Sequence, residues 1–134
     1  RTFDDATLQT IETRMREIFD GYTKAAHATY ELSFDTGHPM TVNNPELTAQ
    51  LVPTLERLLG KDKVGEVGPI PGAEDFSYFS QVVPGFYLRL GVVPDGKVSG
   101  GHHTPTFYAA DESVPIAMRL MTSLAVDYLN AGTP

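Results

Sequence analysis

The stretch HHTPTFYAADESVPIAMRLM, residues 102–121, holds two of the chain's four histidines side by side and passes from a turn into a helix. Gly100 and Gly101 precede it, and Thr104-Pro105 follows the histidine pair. Proline fixes its own φ and restricts the residue before it, so this loop is stiffened where His103 sits. From residue 111 the pattern changes to a helical period. Ile116, Leu120, Met121, Leu124, Ala125 and Tyr128 make a wide apolar face, Asp111 and Glu112 read as first-turn carboxylates, and Gly132 lies beyond the end of a helix over 111–130. In an extended segment neighbouring side chains point to opposite sides, so only one of the two imidazoles is expected to face any one site. A neutral imidazole on a rigid loop is a good zinc-type ligand. The plainer alternative is a surface or packed pair in a Gly-rich turn, and the spacing alone favours it.

Working outward, the 134 residues make about one average domain, enough to bury a core without staples. The net charge is −7 with only ten Lys and Arg, and no basic cluster stands out, which argues against nucleic-acid and anionic-membrane partners. There is no cysteine, so disulfides, thiolate metal sites and cysteine nucleophiles are excluded. That usage fits a reducing compartment, and a cytoplasmic location is expected. No apolar run reaches membrane-spanning length and no secretory signal opens the chain. The chain opens RTFDDATLQ, without an initiator Met, as a processed chain or a piece of something longer would.

Residues 1–3 read as the end of a strand. A helix is predicted over 4–26, capped by Asp4 or Asp5, with Leu8, Ile11, Met15, Ile18 and Tyr22 on one face. HATYELSFDTG, residues 27–37, alternates as a strand should, and His27 reads as a helix-end residue. A turn-rich break around 36–40 divides residues 1–36 from 37–134. Asn44-Pro45 opens the next helix, whose stripe is Leu47, Leu51, Leu55 and Leu58; Pro53 should kink it and Gly60 stops it. VGEVG at 64–68 could be a short strand, residues 74–82 a short helix, and FYLRLGVV at 86–93 a buried strand. Helices alternating with strands predict an α/β fold, or α+β for this chain in isolation.

In PGAEDFSYF, residues 71–79, Glu74 and Asp75 precede the short helix. They read as capping carboxylates, or else Gly72 permits a close approach and Glu74 faces a site. His38 stands before Pro39 with no metal spacing around it. Ser77 lacks the G-x-S-x-G elbow, and no phosphate-binding or H-E-x-x-H motif is present. A catalytic zinc usually takes three protein ligands, and only His103, with Glu74, is on offer. Local chemistry alone assigns no reaction.

Four stretches in order carry a resemblance: RTFDDATLQTIETRMREI, HPMTVNNPEL, PGAEDFSYF and HHTPTFYAADESVPIAMRLM. Together they resemble the C-terminal part of the M20 metallopeptidases and amidohydrolases, which include aminoacylases, hippurate hydrolases and N-acyl-amino-acid amidohydrolases. The third matches the G-[AS]-E-D-F block and the fourth the H-[ST]-P-x-F block. The resemblance covers essentially the whole chain. It implies a lid or dimerisation-domain remnant over 1–36 and the C-terminal part of an α/β catalytic domain over 37–134. It implies that His103 is a ligand to one ion of a two-metal site, zinc or manganese, with cobalt or nickel as alternatives. It places Glu74 beside the active site as the candidate catalytic residue, and Gly72 and Asn43 as candidate substrate-facing residues, Asn43 also as a hinge. The implied reaction is hydrolysis of an amide in an N-acyl amino acid or small peptide-like substrate. The family's upstream H-x-D pair and Glu-Glu pair have no match in this chain. The expectation is therefore a fragment of a hydrolase or a stand-alone relic, metal binding by the chain alone is expected to be weak or absent, and strand edges left open should make it a homo-oligomer. The rival readings are a non-catalytic oligomerising module and a small hydrolase with a new site around His103 and Glu74.

Overall fold

Asp4 starts the first helix by accepting the Thr7 backbone N–H at 2.6 Å and the Thr7 hydroxyl at 2.7 Å. These bonds satisfy a donor that no helical carbonyl can reach, and they hold the Asp4 carboxyl below its usual range. The computed structural model describes residues 2–35 and 37–132. Its helices are α1 (Asp5–Ala26), α2 (Pro45–Leu59), α3 (Phe76–Ser80) and α4 (Ser113–Ala131), with one 3₁₀ turn at Lys61–Lys63. The chain divides into two compact units, Arg1–Val42 with Val67–Val83, and Asn43–Glu66 with Pro84–Pro134. Among the described residues no helix is long and apolar enough to cross a membrane.

In the first unit α1 runs 22 residues without burying one. His27 ends it in the left-handed region at φ 52°, as the helix-end reading expected. Its N–H meets the Lys24 carbonyl and the Ala28 N–H meets the Thr23 carbonyl at 2.9 Å, which closes the last turn. The following segment lies along α1 through side chains. Tyr30 stacks on Phe19 at 5.3 Å and donates its hydroxyl to Asp20 at 2.6 Å. The Arg16 guanidinium sits 5.2 Å from the centre of the Phe34 ring. Tyr30, Leu32 and Phe34 are half-buried while Glu31 and Ser33 are exposed, so the predicted alternation is present.

The predicted strands are not. Among the described residues every regular element is helical, and residues 28–34, 64–68 and 86–93 form no strand ladder. The α/β layering expected from the sequence is therefore not realised in this structure. The physical reason is that alternation decides which face of an extended segment is buried, whereas a strand exists only when a second backbone supplies the ladder. The strand end read at residues 1–3 lies partly outside the described residues, and Thr2 and Phe3 belong to no strand. Thr36, where the expected boundary fell, is also outside them.

The second unit has the core. Leu51 and Leu55 of α2 meet Leu120 and Leu124 of α4, and Phe86, Leu88 and Leu90 pack against this cluster from one face of their extended segment. Asn44 caps α2 by accepting the Leu47 N–H at 2.9 Å, with Pro45 in the first turn, where its missing N–H is no loss. The helix is continuous through Pro53 and stops at Gly60, whose φ of 94° suits glycine. A polar clamp joins the two helices: Asp127 accepts from the Thr54 hydroxyl at 2.5 Å and from Arg57 at 2.6 Å. Arg119 donates to the Leu58 carbonyl at 2.8 Å and so satisfies one acceptor at the end of α2.

Candidate functional site

The histidine loop grows out of the segment that covers the core. The Val92 carbonyl accepts from Ala110 at 2.8 Å, just before α4, and ties the two ends of the intervening chain together. Ser99 then takes the Tyr108 N–H on its hydroxyl oxygen at 2.7 Å, and the Gly100 N–H donates to Thr106 at 2.9 Å. The Thr104 hydroxyl donates to Gly101 at 2.8 Å. A Cβ on Gly100 would fall inside contact distance of the Thr104 and Thr106 hydroxyl oxygens. Glycine is required there by close approach.

His103 stands at the apex of this turn with φ 63°, a left-handed backbone that side-chain-bearing residues seldom adopt. Both imidazoles are exposed. They do not point to opposite sides: the ring centres are 6.4 Å apart and edge-on at 78°. The expectation from alternation fails because residues 101–106 form a turn and not an extended run. His102 also meets Phe107 edge-on, at 5.3 Å and 86°. Asp111 and Glu112 precede α4 in an exposed turn, and no side chain caps that helix, contrary to the first-turn reading.

Glu74 and Gly72 lie in the first unit. Glu74 is half-buried, and its Oε1 accepts the Phe76 N–H at 3.3 Å where α3 begins, while the N-cap residue itself, Asp75, makes no side-chain cap bond. Gly72 donates to the Ile70 carbonyl at 2.7 Å, and a Cβ there would meet nothing within 4 Å. Next to Glu74, Asp75 bonds His38 Nε2 at 2.8 Å, and Tyr78 lies against the His38 ring at 5.3 Å. Sequence spacing could not show this pair, since its members are 37 positions apart.

Asn43 lies in the second unit, and its side chain behaves as a one-residue strand. Its amide nitrogen donates to the Tyr87 carbonyl at 2.8 Å, and its amide oxygen accepts the Tyr87 N–H at 2.7 Å. Asn44 N–H adds a bond to Gly85 at 2.9 Å. The amide is thus spent on the backbone of the segment that covers the core.

Among the described residues no group of three or more His, Asp or Glu comes together to hold a metal ion. A hydrolytic zinc site usually takes three protein ligands, and the described residues do not bring three together. His103, exposed and aimed by a tied turn, suits a single ligand of such a set. An open hollow of about 390 Å³ on α1, lined by Glu17, Ile18, Gly21, Tyr22 and Ala25, includes none of the candidate residues.

Comparison with known proteins bears on the same segments. The chain is similar to thermostable carboxypeptidase 2 of Saccharolobus solfataricus, 30% identical over 97% of this chain and 33% of that protein. It is similar to the uncharacterized hydrolase y4tI of Sinorhizobium fredii, 30% identical over 96% of this chain and 31% of the other. The IAA-amino acid hydrolase ILR1-like 2 of Arabidopsis thaliana is 34% identical over 68% of this chain and 21% of its own length. The chain therefore spans about a third or less of these relatives. No solved structure matches it. The sequence pattern of peptidase family M20/M25/M40 matches residues 4–127, a span that takes in α1, the Asn44-Pro45 helix start, the Glu74 turn and the histidine loop. With nearly the whole chain inside that match, it belongs to peptidase family M20/M25/M40.

Proposed function

We propose that this chain is the part of a metal-dependent amidohydrolase that supplies His103 as a metal ligand and Glu74 as a proton acceptor. The proposed substrate is an N-acyl amino acid or a small peptide-like amide. The observation that carries the reading is the turn at residues 99–108, which is tied by its own hydrogen bonds and holds His103 exposed in a left-handed backbone. Such strain persists where the surroundings over-determine it, and it gathers at functional sites. The family's hydrolases and carboxypeptidases agree with the reaction class. Zinc or manganese, when bound, polarises the amide carbonyl and lowers the pKa of water. Glu74 would take the proton of the attacking water, which requires it within hydrogen-bond reach. Gly72 would let substrate approach the Glu74 turn without obstruction. Asn43 would act through Tyr87, holding the segment that leads to the histidine loop. In the same reading residues 1–36 are a lid remnant, residues 37–134 are catalytic-domain chain, and the setting is cytoplasmic, which suits a chain without cysteine.

A second reading has its own observation. On α4 the side chains of Val114, Met118, Met121 and Leu129 share a stripe and are 57%, 67%, 61% and 76% exposed. That face favours association, as a homo-oligomer, in a module that need not be catalytic. Hydrolysis of N-acetyl and N-benzoyl amino acids, assayed with added Zn²⁺ or Mn²⁺, separates the two. The first reading expects no hydrolysis by the chain alone, and metal-dependent release of the amino acid by a longer enzyme that carries this segment, lost there in both His103→Ala and Glu74→Gln. Full activity in both variants would remove these residues from the reaction. Unchanged hydrolysis by the longer enzyme in both variants, with a chain that self-associates, would favour the second reading.

A further inference from the structure

We propose that His102 is a positioning residue for His103, restricting the directions in which the His103 imidazole can point; this rests on His103 being a metal ligand. Metal-binding histidines ordinarily donate their second ring N–H to a carboxylate or carbonyl, which sets the ring's orientation. Among the described residues no hydrogen bond holds the ring of His102 or His103. The orientation has to come from packing. Phe107 lies on the returning arm of the turn, and its N–H bonds the Thr104 carbonyl at 3.1 Å. His102 packs edge-on to Phe107 at 5.3 Å and edge-on to His103 at 6.4 Å. Edge-to-face contact is the arrangement that aromatic quadrupoles favour. The series Phe107, His102, His103 thus passes the rigidity of the closed turn to an otherwise exposed imidazole. The left-handed backbone at His103, φ 63°, brings the two neighbouring rings to one side, where an extended backbone would separate them.

The test is nuclear magnetic resonance of the whole chain, reading the His103 χ1 couplings and the ring-to-ring Overhauser contacts, followed by titration with Zn²⁺. Backbone amide shifts outside residues 99–110 confirm that each variant keeps its fold. The parent should show one His103 rotamer. His102→Phe, which keeps an edge-bearing ring without nitrogen, should retain both that rotamer and the parent's zinc affinity. His102→Ala should average the His103 couplings and weaken zinc binding about tenfold, the scale of losing an orienting partner. Unchanged couplings in His102→Ala would overturn the proposal. Loss of zinc affinity in His102→Phe equal to that in His102→Ala would also overturn it, making His102 itself a ligand. The couplings are read without metal, so they decide the positioning role even if His103→Ala shows that zinc binds elsewhere.

Discussion

Two glycines in this chain look alike in sequence and differ in what their neighbours permit. At Gly100 an added methyl collides with the hydroxyl oxygens of Thr104 and Thr106, which belong to the tied turn. Gly100→Ala should destabilise by about 1–3 kcal/mol, as overpacking does, and should lower metal binding with it. At Gly72 a Cβ meets nothing and φ is not positive. Gly72→Ala should raise stability by about 0.4–1 kcal/mol by restricting the unfolded chain. Thermal denaturation of both variants checks the pair, and equal losses would contradict the geometry. Ser77 gives a third case. It is fully buried, and its hydroxyl has no hydrogen-bond partner among the described residues. Ser77→Ala removes a desolvated polar group and no bond, so it should be neutral or stabilise by up to about 1 kcal/mol. A clear loss in denaturant titration would reveal a partner for that hydroxyl. The tertiary pairings at this scale, His38 with Asp75 and Asn43 with Tyr87, were not legible in the sequence. Each joins residues far apart in the chain, and residue type carries no record of such pairing.

The helices were legible because each depends on local signals: Asp4 and Asn44 as caps, and leucines at three- and four-residue steps on α2 and α4. The extended segments were legible only as to face. Tyr30, Leu32 and Phe34, and likewise Phe86, Leu88 and Leu90, turn inward as their alternation predicted, yet no ladder forms on either segment. Pairing is a property of two backbones, and one sequence segment cannot report it. Between α2 and α4 the clamp makes a prediction about pH. The Asp127 carboxyl is held below the usual range, first by the Thr54 hydroxyl and then by Arg57. A depressed folded-state value means that Asp127 stabilises above the unfolded value, about pH 3.9, and that this contribution is lost as pH falls through the folded value. Asp127→Asn should therefore be less stable than the parent at neutral pH, and the gap should close below about pH 3.9. Urea titrations at several pH values read this out. A gap that persists unchanged in strong acid would show that charge plays no part in the clamp.

On the scale of the whole molecule, family membership was legible from four separated stretches in a fixed order, above all the Glu74 turn and the histidine loop. The assembly of a site was not. The resemblance implies upstream metal ligands for which this chain offers no match, and the chain spans 33% of a carboxypeptidase relative. The exposed stripe on α4 sets the association prediction. The parent should self-associate in a concentration series followed by light scattering. Paired Met118→Glu and Met121→Glu substitutions should reduce that association, because charge on an apolar contact is expensive to desolvate. A strict monomer at high concentration would refute the docking role of the stripe.

Calorimetric titration of the chain with Zn²⁺, set beside His103→Ala, tests the central claim most directly. One ligand against the usual three predicts weak binding in the parent and none in the variant. Equal binding by both proteins would contradict the assignment of His103 as the metal ligand, and a tight stoichiometric site in the parent would contradict the view that this chain carries only part of the site.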